Sequence, residues 1–103
     1  MHNTNSTQTF GVGIYFNEDY ELLEDTMDYP EYSKKINGLT KAEKELENMA
    51  NPHQVHMLSA DDGSWYIVGE QEKVKIFVEK AIQIFAINDI PVYLGPVQPE
   101  FDY

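Results

Sequence analysis

Two histidines in the middle of the chain are the side chains best suited to binding a metal ion or moving a proton at neutral pH. His53 and His56 lie three positions apart in a segment, 53–59, whose composition predicts a β-strand. On a strand this spacing places the two rings on opposite faces, and no third clear zinc ligand accompanies them. The sequence therefore predicts no metal ion and no other cofactor.

Two short patterns resemble ligand-binding loops only in part. The segment Asp61 to Gly63 lacks the alternating oxygen ligands and the closing glutamate of a calcium loop, and it has good turn chemistry for a β-hairpin. Gly11 and Gly13 lack the third glycine of a dinucleotide-binding fingerprint. Both patterns therefore favour structural roles.

Nucleophilic catalysis has little support in the sequence. The chain contains no cysteine, and it shows no nucleophile elbow with serine, histidine and aspartate in a hydrolase order. It also contains no arginine, which removes the usual bidentate clamp for phosphate or carboxylate substrates. We expect a protein that is not an enzyme; a small enzyme using Asp19, or His53 and His56, is the third of three hypotheses.

The most unusual segment spans 18–31 and contains seven acidic residues and no basic one. If Asn17 caps a short helix there, four carboxylates fall at i, i+3, i+4 and i+7 on one face, and Tyr29-Pro30 ends the helix. Carboxylates flanked by tyrosines offer a basic protein both charge and aromatic anchoring. The residues expected to bind a partner are Glu18, Asp19, Tyr20, Glu21, Glu24, Asp25, Asp28, Tyr29, Glu31 and Tyr32.

The overall charge points to the same kind of partner. Eighteen acidic residues against seven lysines give a formal net charge of -11. This sign disfavours direct binding to nucleic acid or to an anionic membrane, because both depend on basic residues that neutralise phosphates. A basic protein is the natural counterpart, whereas the alternative is that the acidity only confers solubility.

Hydrophobic periodicity predicts the elements that would position these residues. Strands are expected over 9–17, 53–59, 64–69 and 90–94, with the second and third joined as a hairpin. In the first strand, apolar side chains alternate onto one face at Phe10, Val12, Ile14 and Phe16. Thr40 and Glu43 have the spacing of a capping box and predict a helix that ends at Asn51-Pro52. A second helix is expected from Glu70 to Asn88, with an apolar stripe formed by Val74, Phe77, Val78, Ala81, Ile82 and Phe85.

The predicted order of elements is βαββαβ, which is that of the ferredoxin-like fold. In this α+β fold two helices cover one face of a four-stranded antiparallel sheet. We expect one domain over 9–95 with an acidic insertion at 18–37 after the first strand, a flexible N-terminal tail over 1–8 and a C-terminal tail over 96–103. The absence of cysteine, of a signal peptide and of a long apolar run predicts a cytoplasmic location, or the host cytoplasm if a phage encodes the protein.

The leading hypothesis is a non-catalytic acidic inhibitor that docks on a basic protein, including one that handles nucleic acid. In size, acidity and lack of catalytic motifs the chain resembles small inhibitors of phages and mobile elements, namely anti-CRISPR and anti-restriction nucleic-acid mimics, and toxin-immunity proteins. The second hypothesis is a ferredoxin-like regulatory or assembly module that forms a homodimer or binds a small ligand near Gly11 and Gly13.

Overall fold

A computed structural model describes residues 9–99 of the chain. The class is α+β, as the sequence predicts, and the sheet is open and antiparallel. The predicted tail over 1–8 and the last four residues of the predicted C-terminal tail, 100–103, lie outside the described residues. The elements are β1 (Phe10–Phe16), α1 (Tyr20–Thr26), α2 (Tyr29–Ala50), β2 (His56–Ser59), β3 (Trp65–Gly69), α3 (Gln71–Ile87) and β4 (Val92–Leu94).

The four strands lie in the order β2-β3-β1-β4, and every neighbouring pair is antiparallel. Val12 faces Ile67 and Ile14 faces Trp65, so these side chains share one face of the sheet. The predicted alternation of β1 is therefore confirmed. Beyond β4 the backbone of Gln98 still exchanges two hydrogen bonds with Gly11, of 2.8 and 3.0 Å, so the chain continues alongside β1.

Helices α2 and α3 cover the apolar face of the sheet and close the hydrophobic core. The predicted stripe of α3 is correct except at Ile82, which is 36% exposed; Ile84 is buried instead. Residue 84 lies seven positions after the fully buried Phe77, two turns along the same face, whereas Ile82 lies on the flank. The largest fully buried side chains are Phe77, Phe85, Ile14, Leu46, Ile67, Ile90, Val68 and Val74.

Helix α3 ends in a tight turn that sends the chain back toward the sheet. The Ile90 N–H donates to the Phe85 carbonyl at 2.9 Å, and the Asp89 N–H donates to the Ala86 carbonyl at 3.0 Å. This is the hydrogen-bond pattern of a Schellman motif, which requires a left-handed residue at the first position beyond the cap. Asp89 supplies that conformation with φ 62°, and the buried Phe85 and Ile90 supply the accompanying apolar contact.

A Schellman motif also ends α2, and it shortens the predicted second strand. The prediction of strand over 53–59 is wrong at its start, because the His53 N–H still donates to the Met49 carbonyl and Gln54 has φ 61°. His53 packs its ring edge to face with Phe77, with the ring centroids 5.7 Å apart. The other three strands are each one or two residues shorter than predicted, and the predicted hairpin turn is present, with Gly63 at φ 89°.

The largest error of the sequence prediction concerns α2. Tyr29-Pro30 begins this 22-residue helix instead of ending one, because proline at the first helical turn loses no intrahelical hydrogen bond. Thr40 and Glu43 are not a capping box, since they lie inside α2. The predicted insertion at 18–37 is therefore α1 followed by the first part of α2, and the element order is βααββαβ instead of βαββαβ.

Gly38 explains how α2 can pass so close to the end of α3. A Cβ atom built on Gly38 would lie 2.8 Å from the backbone carbonyl oxygen of Asn88. Such a contact with backbone cannot be relieved by moving a side chain. Asn37-Gly38 has turn composition in the sequence, yet here the glycine allows close helix packing. Among residues 9–99 no helix is long and apolar enough to cross a membrane.

Replacing Gly38 with alanine is expected to lower the free energy of unfolding by about 1 kcal/mol, because overpacking against backbone outweighs the gain in helix propensity. Asn37→Ala is the matched control, since Asn37 is exposed in the same helix and the change should raise stability by a few tenths of a kcal/mol. Urea denaturation followed by circular dichroism measures both. Equal stabilisation by the two variants would contradict the close approach of α2 and α3.

Candidate functional site

A cleft of about 700 Å³ lies at the end of the sheet where β1 finishes. It is bounded by the end of β1, the start of α1, the turn between β2 and β3, one turn of α2 and one residue of β4. No lysine lines it, whereas five carboxylates do. The lining residues are Tyr15, Phe16, Asn17, Glu18, Asp19, Tyr20, Glu21, Leu39, Glu43, Asp62, Gly63, Ser64 and Tyr93.

Two of the five carboxylates help to hold α1 in place. Glu18 forms an ion pair with Lys35 of α2, with 2.7 Å between Oε1 and Nζ. Hydrogen bonding to Glu18 raises the pKa of Lys35 and keeps it charged. Asp19 caps α1, because its Oδ1 accepts the N–H groups of Glu21 and Leu22 at 3.1 and 3.2 Å.

Asp19 takes the capping role predicted for Asn17. The N–H of Asn17 donates instead to the Pro91 carbonyl at 3.1 Å, which continues the pairing between the end of β1 and the start of β4. The predicted cap is therefore wrong by two residues, and α1 begins at Tyr20. This shift places Glu18 and Asp19 in the wall of the cleft instead of on the helix.

Glu43 is a partly buried carboxylate that α2 contributes to the cleft. Its Oε2 accepts the indole N–H of Trp65 at 2.6 Å, a contact between residues 22 positions apart. Burial raises the pKa of Glu43, the Trp65 hydrogen bond opposes this shift, and the nearby Glu47 adds to it. Trp65 is the only tryptophan in the chain, so its fluorescence reports on this side of the cleft.

Asp62 forms the opposite rim and is held as an anion. Its Oδ1 accepts both the backbone N–H of Ser64, at 3.0 Å, and the Ser64 hydroxyl, at 2.5 Å. These two hydrogen bonds lower the pKa of Asp62. The hairpin turn that the sequence predicts therefore also presents a fixed negative charge to the cleft.

Tyrosine rings form the aromatic wall of the cleft on the sheet face opposite the helices. Tyr15 stacks on Tyr93 with centroids 5.4 Å apart and meets Tyr66 edge to face at 6.4 Å. The Tyr15 and Tyr66 hydroxyls share a hydrogen bond of 3.5 Å, which together with partial burial raises the pKa of Tyr15. The Tyr15 ring lies over Gly13, where an added Cβ would be 2.5 Å from the tyrosine hydroxyl.

Tyr20 supplies an unusual polar group. Its ring packs edge to face with Phe16, with centroids 5.8 Å apart. Its hydroxyl is buried and has no hydrogen-bond partner within residues 9–99. Burial, reinforced by the charge of Glu18, raises the pKa of Tyr20 to about 12, so the phenol stays neutral.

The predicted partner-binding residues do not share one helix face. Four of them, Glu18 to Glu21, line the cleft. The prediction of one face with four carboxylates is wrong: α1 ends at Thr26, and Asp28 instead stands at the N-terminus of α2 in an extended conformation. The exposed carboxylates of α1 and of the start of α2 form what we call the acidic surface, which consists of Glu21, Glu24, Asp25, Asp28 and Glu31.

Tyr32 connects the acidic surface to the fold. It lies in the first turns of α2, close to the carboxylates of α1. Loss of hydration and the nearby charge of Glu24 raise the pKa of Tyr32, and Glu21 adds to the effect. Tyr29 is 79% exposed and Leu22 is 58% exposed, so apolar side chains stand among the carboxylates.

Sequence reasoning missed the parts of the cleft that come from distant segments. Tyr15 and Tyr93 share a face because β1 and β4 pair in the register Tyr15↔Tyr93. The available signal was that tyrosines recur on the strand positions that do not point into the core. His53 and His56 lie at the other end of the sheet, and within residues 9–99 no group of three His, Cys, Asp or Glu residues could hold a metal ion.

Comparison of the chain with models of protein families, with curated proteins and with solved structures found no match. No residue role can therefore be transferred from a relative. The function is inferred from the geometry of the cleft and from the distribution of charge around it.

Glu43 and Trp65 provide a direct test of the cleft's inner wall. Glu43→Ala should lower the free energy of unfolding by about 1 kcal/mol, because it leaves the indole N–H without an acceptor. Glu43→Gln keeps an acceptor and removes a partly buried charge, so at pH 7 it should be at least as stable as the wild type. Denaturant titrations followed by Trp65 fluorescence measure both variants.

The raised pKa of Glu43 determines how the free energy of unfolding changes with pH. A carboxyl group whose pKa is raised by folding stabilises the fold while protonated, and this contribution is lost as the pH rises through the folded pKa. The stability of the wild type should therefore approach that of Glu43→Gln as the pH falls from 7 toward 4. A difference in the free energy of unfolding between the two proteins that stays constant over this pH range would contradict the burial of the charge.

Proposed function

We propose that this protein is a non-catalytic acidic binding protein that docks on a basic surface of another protein and blocks it. The observation that carries the proposal is the acidic surface, defined above as Glu21, Glu24, Asp25, Asp28 and Glu31. Within residues 9–99, none of these five carboxylates forms an ion pair with a lysine. Their charge is therefore available to a partner.

The distribution of lysines strengthens this interpretation. All seven lysines lie on α2 and α3, and α1 and its flanking residues contain none. A protein with a charge of -11 attracts a basic partner over distances set by the ionic strength. Such steering accelerates association and makes affinity fall with salt.

Exposed apolar side chains within the acidic surface provide the short-range part of binding. Leu22 lies on α1 between the carboxylates, and Tyr29 stands at the start of α2. Interfaces derive most of their binding energy from a few such side chains, with charges around them setting orientation and rate. Basic surfaces that normally contact nucleic acid are the partner class that this combination fits best.

We also propose that the fold is of the ferredoxin-like kind with one helix added. The supporting observations are the strand order, which reads β4-β1-β3-β2 from the other edge, and the packing of α2 and α3 on one face. The added α1 carries three of the five carboxylates of the acidic surface. On this view the helix that distinguishes the chain from the simple βαββαβ order also bears its binding surface.

The test compares two variants that each lose four negative charges. One carries Glu21→Gln, Glu24→Gln, Asp25→Asn and Asp28→Asn on the acidic surface. The other carries Glu45→Gln, Glu47→Gln, Glu72→Gln and Glu79→Gln on exposed positions of α2 and α3. Both variants and the wild type are immobilised, challenged with lysate of the source cells at low salt and eluted with rising salt, and the eluted proteins are identified by mass spectrometry.

The wild type and the second variant should retain the same basic protein, and the first variant should lose it. The identified protein is then titrated against the wild type at several salt concentrations, where log Kd should rise steadily with log salt. Retention of the same partner by all three proteins would show that the acidic surface only confers solubility.

A further inference from the structure

The cleft has properties that go beyond a general attraction for basic surfaces. We propose that the cleft binds one arginine side chain of the partner, an inference that rests on the binding function proposed above. Its volume of about 700 Å³ lies within the usual range of ligand pockets and is sufficient for one side chain with its flanking backbone.

The aromatic wall is the first reason to choose a planar cation. Tyr15 and Tyr93 are stacked with an interplanar angle of 28°, and Tyr93 is 54% exposed on this wall. Guanidinium groups favour the faces of aromatic rings, and arginine makes this contact more often than lysine does. The neighbouring glycines 13 and 95 leave room over the sheet for the Tyr15 ring, which lies against both.

The charges of the lining select a cation over other ligands. After Glu18 and Asp19 are assigned to Lys35 and to the cap of α1, the carboxylates of Glu21, Glu43 and Asp62 remain. No lysine lines the cleft to neutralise them. An anion would be repelled, and a neutral apolar ligand would cover these carboxylates without neutralising their charge, which is costly.

A guanidinium group also matches the hydrogen-bonding groups of the walls. Its five N–H groups form a planar fork that can bond more than one acceptor, whereas a lysine ammonium has three donors at one point. Tyr20 lines the cleft next to Glu21, while its hydroxyl is buried below the surface.

Continuity with the acidic surface indicates that the arginine belongs to a protein partner. Glu21 lines the cleft and is also a member of the acidic surface. A basic protein docked across α1 would therefore have the mouth of the cleft within its footprint. The aromatic wall holds the planar group in one orientation, and the acidic surface supplies the remaining attraction.

The test uses two defined probes, acetyl-hexa-arginine amide and acetyl-hexa-lysine amide, with the full-length protein. Binding is measured by isothermal titration calorimetry at low salt, and Trp65 emission is recorded in parallel, because its indole is bonded to Glu43 in the cleft wall. The variants are Tyr93→Ala, Tyr93→Phe and Asp62→Asn. Ile76→Ala and Glu79→Gln, on the exposed face of α3, are the matched apolar and charge controls.

We expect hexa-arginine to bind the wild type and change Trp65 emission. Tyr93→Ala should weaken that binding about five- to tenfold, as expected for loss of a cation–π contact, while Tyr93→Phe should stay within about twofold. Asp62→Asn should weaken it by a similar factor, and both controls should bind as the wild type does. Hexa-lysine should bind less tightly and lose little affinity in Tyr93→Ala. Circular dichroism verifies that each variant is folded.

Three results would overturn the proposal, and they separate it from the function on which it rests. If Tyr93→Ala and Asp62→Asn bind hexa-arginine as the wild type does, while neutralising the acidic surface abolishes binding, the surface binds cations and the cleft does not. If hexa-lysine binds as tightly and depends equally on Tyr93, the cleft does not select guanidinium. If the wild type binds neither peptide at low salt, both proposals fail.

Discussion

The packing of α3 against the central strand β1 is the interaction on which the rest of the structure depends. Phe85 is fully buried, and its ring meets that of Phe16 edge to face at 5.6 Å. The carbonyl of the same residue accepts the N–H of Ile90, so this residue also fixes where the chain turns toward β4. The pairing of β4 with the end of β1 then brings Tyr93 opposite Tyr15 and completes the aromatic wall of the cleft.

The acidic residues of the segment 18–31 have different structural roles because they have different neighbours in the fold. Glu18 lies within reach of Lys35 on α2, and Asp19 lies where α1 needs a cap, so both contribute to holding α1 in place. Glu24 and Asp25 follow one turn later on the exposed side of α1. A single acidic segment thus contains both the attachment of a helix to the fold and the charge that the helix presents to solvent.

The sequence correctly predicted the elements that have local signals. It gave wrong predictions where contacts between distant residues determine the structure. It identified α3 from its apolar period and the hairpin from its turn residues. It placed the N-cap of this helix at Thr40, twelve residues after the observed N-cap Asp28, because Thr40 and Glu43 have the spacing of a capping box and Pro30 is typical of a helix end. Glu43 was assigned to a cap, whereas in the fold it bonds the indole of Trp65.

By itself the sequence determined the α+β class, the core-facing positions of β1 and α3, and a run of carboxylates without a cation. These properties follow from hydrophobic period, composition and charge, which are local properties of each segment and do not depend on contacts with other segments. Only the tertiary structure decided which carboxylates are paired, that α2 is continuous, and that tyrosines of β1 and β4 stack beside Asp62. Each of these depends on groups far apart in the chain, such as Gly38 and the Asn88 carbonyl, whose meeting is fixed by packing and strand register.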